Sequence, residues 1–216
     1  MTIKYQNWLE SYKELNTEAG TQTKLDASNG TKNKAKVQKG QLSALDVAKQ
    51  NHLDLLHYEF CVFGDNEAIP DSYVTIVPRN KHVGVNFLDQ VGRRYLTYLF
   101  HEVKEDRTLF LREIWYYNFS SDSNENEDYR LHFVFDETGQ VSYRKYDEQN
   151  EKIQDYESNK LFVIDGLYEK YPEFDQYEGI TKLDRDFPVD IIPPNTNPDN
   201  TTDLPNRWLP PDWDKK

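Results

Sequence analysis

The chain has 216 residues, enough for one domain with appendages, and its 26 Lys plus Arg against 38 Asp plus Glu leave a net charge of −12. Such a surface repels phosphates over most of its area, which argues against nucleic acid as a partner. Only 37% of residues are hydrophobic, yet 15 Tyr, 11 Phe and 4 Trp are present. That aromatic content argues against a disordered chain and favours a half-buried pleated sheet over a helical bundle.

Cys61 is the only cysteine, so an internal disulfide and a cysteine-rich zinc site are both excluded. The opening Met1-Thr2-Ile3-Lys4-Tyr5-Gln6 shows neither the charged nor the apolar region of a secretory signal, and no apolar run reaches membrane-spanning length. A cytoplasmic location with no membrane partner is expected.

Tyr5, Trp8, Leu9, Tyr12 and Leu15 recur at helical spacing, which predicts an amphipathic helix over residues 1–16 docked on the rest of the protein. Residues 17–42 are rich in Gly, Asn, Thr and Lys without periodicity and are expected to form a flexible linker. Residues 1–50 hold 8 Lys against 5 acids, so the remainder of the chain carries −15. The core domain is expected over 43–187. It opens with a helix from Ser43, a suitable N-cap, to Leu56. The period then changes to two: Leu56, Tyr58, Phe60 and Val62 mark a first strand, followed by short strands at Tyr73–Val77 and Val83–Phe87 around the turn Pro78-Arg79-Asn80-Lys81.

The clearest architecture lies between Arg93 and Asp147. Stretches Arg94–Val103, Thr108–Phe119, Tyr129–Phe135 and Gln140–Tyr146 follow one another with hairpin-length turns, and Gly139 can supply the positive φ of the last turn. Tyr129, Leu131, Phe133 and Phe135 share one face of their strand, opposite Arg130 and His132. The predicted fold is α+β, mainly an antiparallel β meander with an N-terminal helix and a proline-rich C-terminal tail at 188–216. The seven prolines from Pro188 onward exclude a helix or interior strand there, and Trp208 and Trp213 call for a docking surface.

No pair of the five histidines stands in a metal-binding motif, and the glycines form no phosphate cradle. His101 and Glu102 are neighbours on a strand and point to opposite faces. Cys61 sits in a hydrophobic strand, the setting of a packed thiol rather than a nucleophile. Carboxylate pairs such as Asp184 and Asp186 are unremarkable among 38 acids. The chain is therefore expected to be no enzyme and to need no cofactor or metal. What remains is surface chemistry. The loop Ser120–Asp128 holds Asp122, Glu125, Glu127 and Asp128 with no base, and acids alternate with aromatics from Tyr168 to Glu178. Tyr117, Tyr171 and Tyr177, with Glu173 and Asp175, are candidate contacts for a basic protein partner. The other reading of the last segment is structural: Tyr168, Tyr171, Phe174 and Tyr177, spaced by three, pack a short helix or turn onto the sheet.

The stretches Leu111-Arg112-Glu113-Ile114-Trp115-Tyr116-Tyr117-Asn118-Phe119, Phe133-Val134-Phe135-Asp136-Glu137-Thr138-Gly139-Gln140-Val141 and Tyr171-Pro172-Glu173-Phe174-Asp175-Gln176-Tyr177 resemble those of the small acidic immunity proteins that bacteria encode beside polymorphic or contact-dependent toxins. The resemblance covers about a third of the chain; Phe174-Asp175 departs from the Phe-Gly common in that last motif. It implies one role, binding the cognate toxin C-terminal domain and neutralising it, and it transfers no functional residue. A toxin that is itself a cationic nuclease would be matched by an acidic, aromatic-rich surface. The competing readings are an acidic structural or adaptor module that binds a scaffold protein, and a carboxylate-based hydrolase.

Overall fold

Aromatic and β-branched residues recur at alternate positions through most of the chain, and every strand pairing within its two units is antiparallel. The computed structural model describes residues 1–123, 125–147, 150–158 and 161–185, together with the backbone of Trp213–Lys215. Its contacts divide the chain into unit 1, Met1–Arg94 with Pro172–Tyr177, and unit 2, Tyr95–Tyr171 with Glu178–Lys216. Residues 43–187, expected as one core domain, thus fall in both units, and unit 1 begins at Met1. Among the described residues no helix is long and apolar enough to cross a membrane.

In unit 1 the helix expected over 1–16 is replaced by three short strands, β1 (Thr2–Lys4), β2 (Trp8–Leu9) and β3 (Glu14–Leu15). Lys13 has φ 52°, a left-handed turn that closes the β2–β3 ribbon. Trp8 is buried while Tyr12 is 75% exposed, so the apolar residues do not share one face as the helical spacing required. The expected linker is instead helical. Helix α1 (Glu18–Asn29) is capped by Thr17 Oγ1, which accepts from Gly20 N at 3.0 Å, and it ends on left-handed Gly30. Helix α2 (Lys34–Gln38) follows, and then α3 (Ala44–Leu53), where Ser43 and Asp46 form a capping box.

Strands β4 (Tyr58–Phe63), β5 (Ser72–Val77) and β6 (His82–Leu88) follow as a meander, with β1 on the outer side of β4. Every residue of β4 is buried. Cys61 and Phe63 pack with Trp8 and Leu88 on one face. On the other, Phe60 stacks on Tyr177 at 4.0 Å, and Tyr5 stacks on Phe174 at 5.2 Å. Residues 172–177 return to complete this aromatic core.

Unit 2 is a second meander, β7 (Arg94–Glu102), β8 (Thr108–Asn118), β9 (Tyr129–Phe135), β10 (Val141–Asp147) and β11 (Lys152–Ser158). The fifth strand lies beyond the last one expected from sequence. A short β12 (Tyr168–Lys170) pairs with Thr108–Phe110 of β8, and helix α4 (Glu178–Thr181) follows. The register between β7 and β8 passes from Leu99↔Glu113 to Phe100↔Leu111, leaving Arg112 as the extra residue of a β-bulge. Before the bulge Leu109, Phe110 and Leu111 are all buried, and beyond it burial alternates through Ile114, Tyr116 and Asn118. Phe133, Phe135, Val141, Tyr143, Tyr98 and Phe100 are among the buried side chains. The hairpin at Asp136 has the expected chemistry: Asp136 Oδ1 accepts from Thr138 N and Gln140 N, and Gly139 has φ 91°. The proline-rich tail lies outside the described residues except for Trp213–Lys215, whose backbone pairs with Tyr156–Ser158 of β11.

Candidate functional site

Because side chains alternate across a strand, β8 to β11 turn a second set of residues away from the buried face. The registers lay these out in three cross-strand rows: Tyr117, Arg130, Tyr146, Ile153; then Trp115, His132, Arg144, Asp155; then Glu113, Val134, Ser142, Glu157. All are half-buried or exposed. Rings and charges thus gather on the open side of the unit 2 sheet.

Trp115 organises it. The His132 ring lies 3.7 Å from the Trp115 ring, with planes within 11°. Tyr146 and Tyr117 stand at 6.0 and 6.4 Å with planes within 20° and 18°. One carboxylate oxygen, Glu113 Oε2, accepts from Trp115 Nε1 at 3.4 Å and lies 2.9 Å from His132 Nε2. The Arg130 guanidinium sits 4.7 Å over Tyr146 and donates to Glu127 at 2.9 Å. Burial holds the His132 imidazole below its ordinary pKa despite the Glu113 bond, and Arg144 adds to that shift. The His132 ring is thus held against Trp115 by stacking and by the Glu113 bond.

Beside the cluster, β9, β10 and β11 bound a groove of about 300 Å³ lined by His132, Val134, Ser142, Arg144, Asp155 and Tyr156. Arg144 spans it with a forked pair of bonds to Asp155, Nε to Oδ1 at 2.5 Å and Nη2 to Oδ2 at 3.0 Å. The arginine head is exposed to water.

The nine candidate contacts read from the sequence are divided between the two units. Tyr117 belongs to the ring cluster, and Glu127 joins it through Arg130. Asp122 and Glu125 are exposed in the loop that follows β8. Asp128 is tied into the loop closure, where its N–H donates to Asn118 O and its carboxylate accepts from Ser120. Tyr171 is half-buried with the Arg107 guanidinium 3.4 Å over its ring, which marks a packing role. Glu173, Asp175 and Tyr177 belong to unit 1. Glu173 is exposed; Asp175, with φ 67°, accepts from the Tyr5 hydroxyl at 2.9 Å; and Tyr177 is wholly buried, so it anchors the core and offers nothing to a partner. His132, Arg144, Tyr146 and Asp155 were absent from that reading. Strand register, which the sequence does not print, is what brings them beside Trp115.

One arrangement in unit 1 has the composition of a nucleophile relay. Ser28 Oγ lies 2.9 Å from His57 Nδ1, and His57 Nε2 lies 3.1 Å from Glu59 Oε1. The same oxygen accepts from Lys24 Nζ at 2.6 Å. Ser28, however, occupies the last turn of α1, where backbone carbonyls rather than N–H groups point outward. An oxyanion there would meet the negative end of the helix. Asn29 also bonds both the N–H and the carbonyl of His57, so the cluster reads as a clamp between α1 and the start of β4. Burial pushes the Cys61 thiol well up, and its Sγ donates to Gln6 O, the state of a packed thiol. Among the described residues no three His, Cys, Asp or Glu side chains are grouped to hold a metal ion. Comparison with protein-family models, with curated proteins and with solved structures finds no match for this chain.

Proposed function

We propose that this chain is a stoichiometric inhibitor that docks a basic protein partner on the open face of unit 2, in the manner of a cytoplasmic immunity protein neutralising its cognate toxin domain. The observation that carries the reading is the fixed cluster of Trp115, Tyr117, His132 and Tyr146 with Arg130. Trp, Tyr and Arg are the residue types that dominate binding energy at the centre of protein interfaces, and they do so where they are rigid and surrounded by polar groups. Here the surrounding groups are mostly acids: Glu113, Asp155 and Glu157 on the sheet, Asp122, Glu125 and Glu127 on the adjoining loop. That rim favours approach by a cation-rich surface and opposes nucleic acid.

The test is co-expression with the C-terminal domain encoded by the neighbouring gene. Rescue of growth and a 1:1 complex on size exclusion are expected, and Trp115→Ala should abolish both while the variant remains folded by circular dichroism. Failure of the intact chain to rescue, with no complex recovered, would leave an adaptor role as the better reading.

A further inference from the structure

We infer that the groove between β9, β10 and β11 receives a basic side chain of the partner, which takes Asp155 from Arg144. This rests on the docking reading above and adds to it a specificity pocket. At about 300 Å³ the groove is at the small end of ligand sites, with room for one long side chain. Asp155 is held by its strand, at the position opposite Arg144. Arg144 is long and exposed, and ion pairs of that kind contribute little net stability, so the guanidinium can be exchanged for another. An incoming Arg or Lys would bond Asp155 and the Ser142 hydroxyl with Glu157 in the neighbouring row, and would lay its stem along Val134. An acidic side chain is disfavoured. It would depend chiefly on Arg144, because burial holds the His132 imidazole below its ordinary pKa. It would also approach past Glu113, Glu157 and the acids of the loop after β8.

The proposal is tested on the full chain by NMR, titrating the peptides Ac-Gly-Arg-Gly-NH2 and Ac-Gly-Glu-Gly-NH2. The arginine peptide should shift the amides of Ser142, Arg144, Asp155 and Tyr156 and leave the rest of the spectrum in place. Arg144→Ala, which removes the competing guanidinium from Asp155, should tighten that binding by roughly two- to fivefold, the worth of an exposed ion pair; Arg144→Gln should act in the same direction, and Asp155→Asn should remove the shifts. The idea is overturned if the glutamate peptide produces the shifts instead, if Arg144→Ala loosens or fails to change arginine binding, or if Asp155→Asn retains it. Because the peptides need no toxin, the two readings fail separately. Rescue in co-expression with no response to the arginine peptide removes the pocket alone, whereas the expected peptide series without rescue removes the inhibitor reading alone.

Discussion

Replacing Tyr177 by Ala separates core from contact surface. Tyr177 is 0% exposed, its ring lies 4.0 Å from Phe60, and its hydroxyl lies 3.5 Å from that of Tyr5. Truncating a buried aromatic leaves a cavity and costs about 3–5 kcal/mol. With a urea slope of roughly 2–3 kcal/mol per molar, that lowers the unfolding midpoint by about 1–2 M. Tyr177→Phe keeps the ring and loses only the hydroxyl contacts, about 1 kcal/mol. Tyr117→Ala, at a half-exposed position on the open face, should cost no more than about 1 kcal/mol, the scale of a cross-strand pair. Urea denaturation followed by far-UV circular dichroism should therefore place Tyr177→Ala lowest and Tyr117→Ala closest to the parent chain. A Tyr177→Ala protein with the parent's midpoint would refute the assignment of residues 172–177 to the core of unit 1.

Glu59 gives a pH dependence with a definite sign. Burial alone would raise its pKa, but the His57 and Lys24 contacts outweigh it and hold the carboxyl below 4.5. Its contribution is then complete above pH 4.5 and lost as pH falls through the depressed value. Glu59→Gln should be less stable near neutrality yet show a flatter loss as pH falls below 4.5, and an unchanged acid slope would be the contrary result. At Gly139, φ is 91° and an added Cβ would strike the carbonyl oxygen of Phe162, so Gly139→Ala should cost at least about 1–2 kcal/mol in the same denaturation assay. Trp115→Ala should weaken partner binding by about 2 kcal/mol or more by calorimetry, with a much smaller effect on the midpoint. Replacing Asp122 and Glu125 by Asn and Gln should slow association several-fold at low salt and little at high salt, measured by stopped flow.

Legibility followed local hydrophobic pattern. The strands from β4 to β10 were readable because aromatic and β-branched residues recur along them between turn residues such as Asp136 and Gly139, although burial alternates cleanly over five positions in β5 and β9 and not in β4, which is buried throughout. The first 42 residues were not. Of the five apolar residues at helical spacing in 1–16, Trp8, Leu9 and Leu15 fall by coincidence on the β2–β3 ribbon, while Tyr5 and Tyr12 lie outside the strands. Helix α1 buries Thr21 and Gln22 beside Leu25, so its inner face carries almost no apolar signal. β11 escaped notice because an outer strand can be polar: Lys152, Gln154, Asp155 and Glu157 leave only Ile153 and Tyr156 to mark it. Of the candidate site, Tyr117 and the loop acids were legible one by one. The cluster was not, because its members are neighbours only across the β8, β9 and β10 registers.

The short return of residues 172–177 to unit 1 also sets an order of events during synthesis. The Tyr5 and Tyr177 hydroxyls meet although they are 172 positions apart, and between them the whole β7–β12 meander must be made. A nascent chain can pair β4, β5 and β6 early, but the face of Phe60 that Tyr177 covers stays open until the last quarter of the chain leaves the ribosome. Unit 2 can close its own sheet in the meantime. A truncated product ending before Pro172 would thus carry a folded meander and an uncovered aromatic face, and cells making it should show aggregation or chaperone capture.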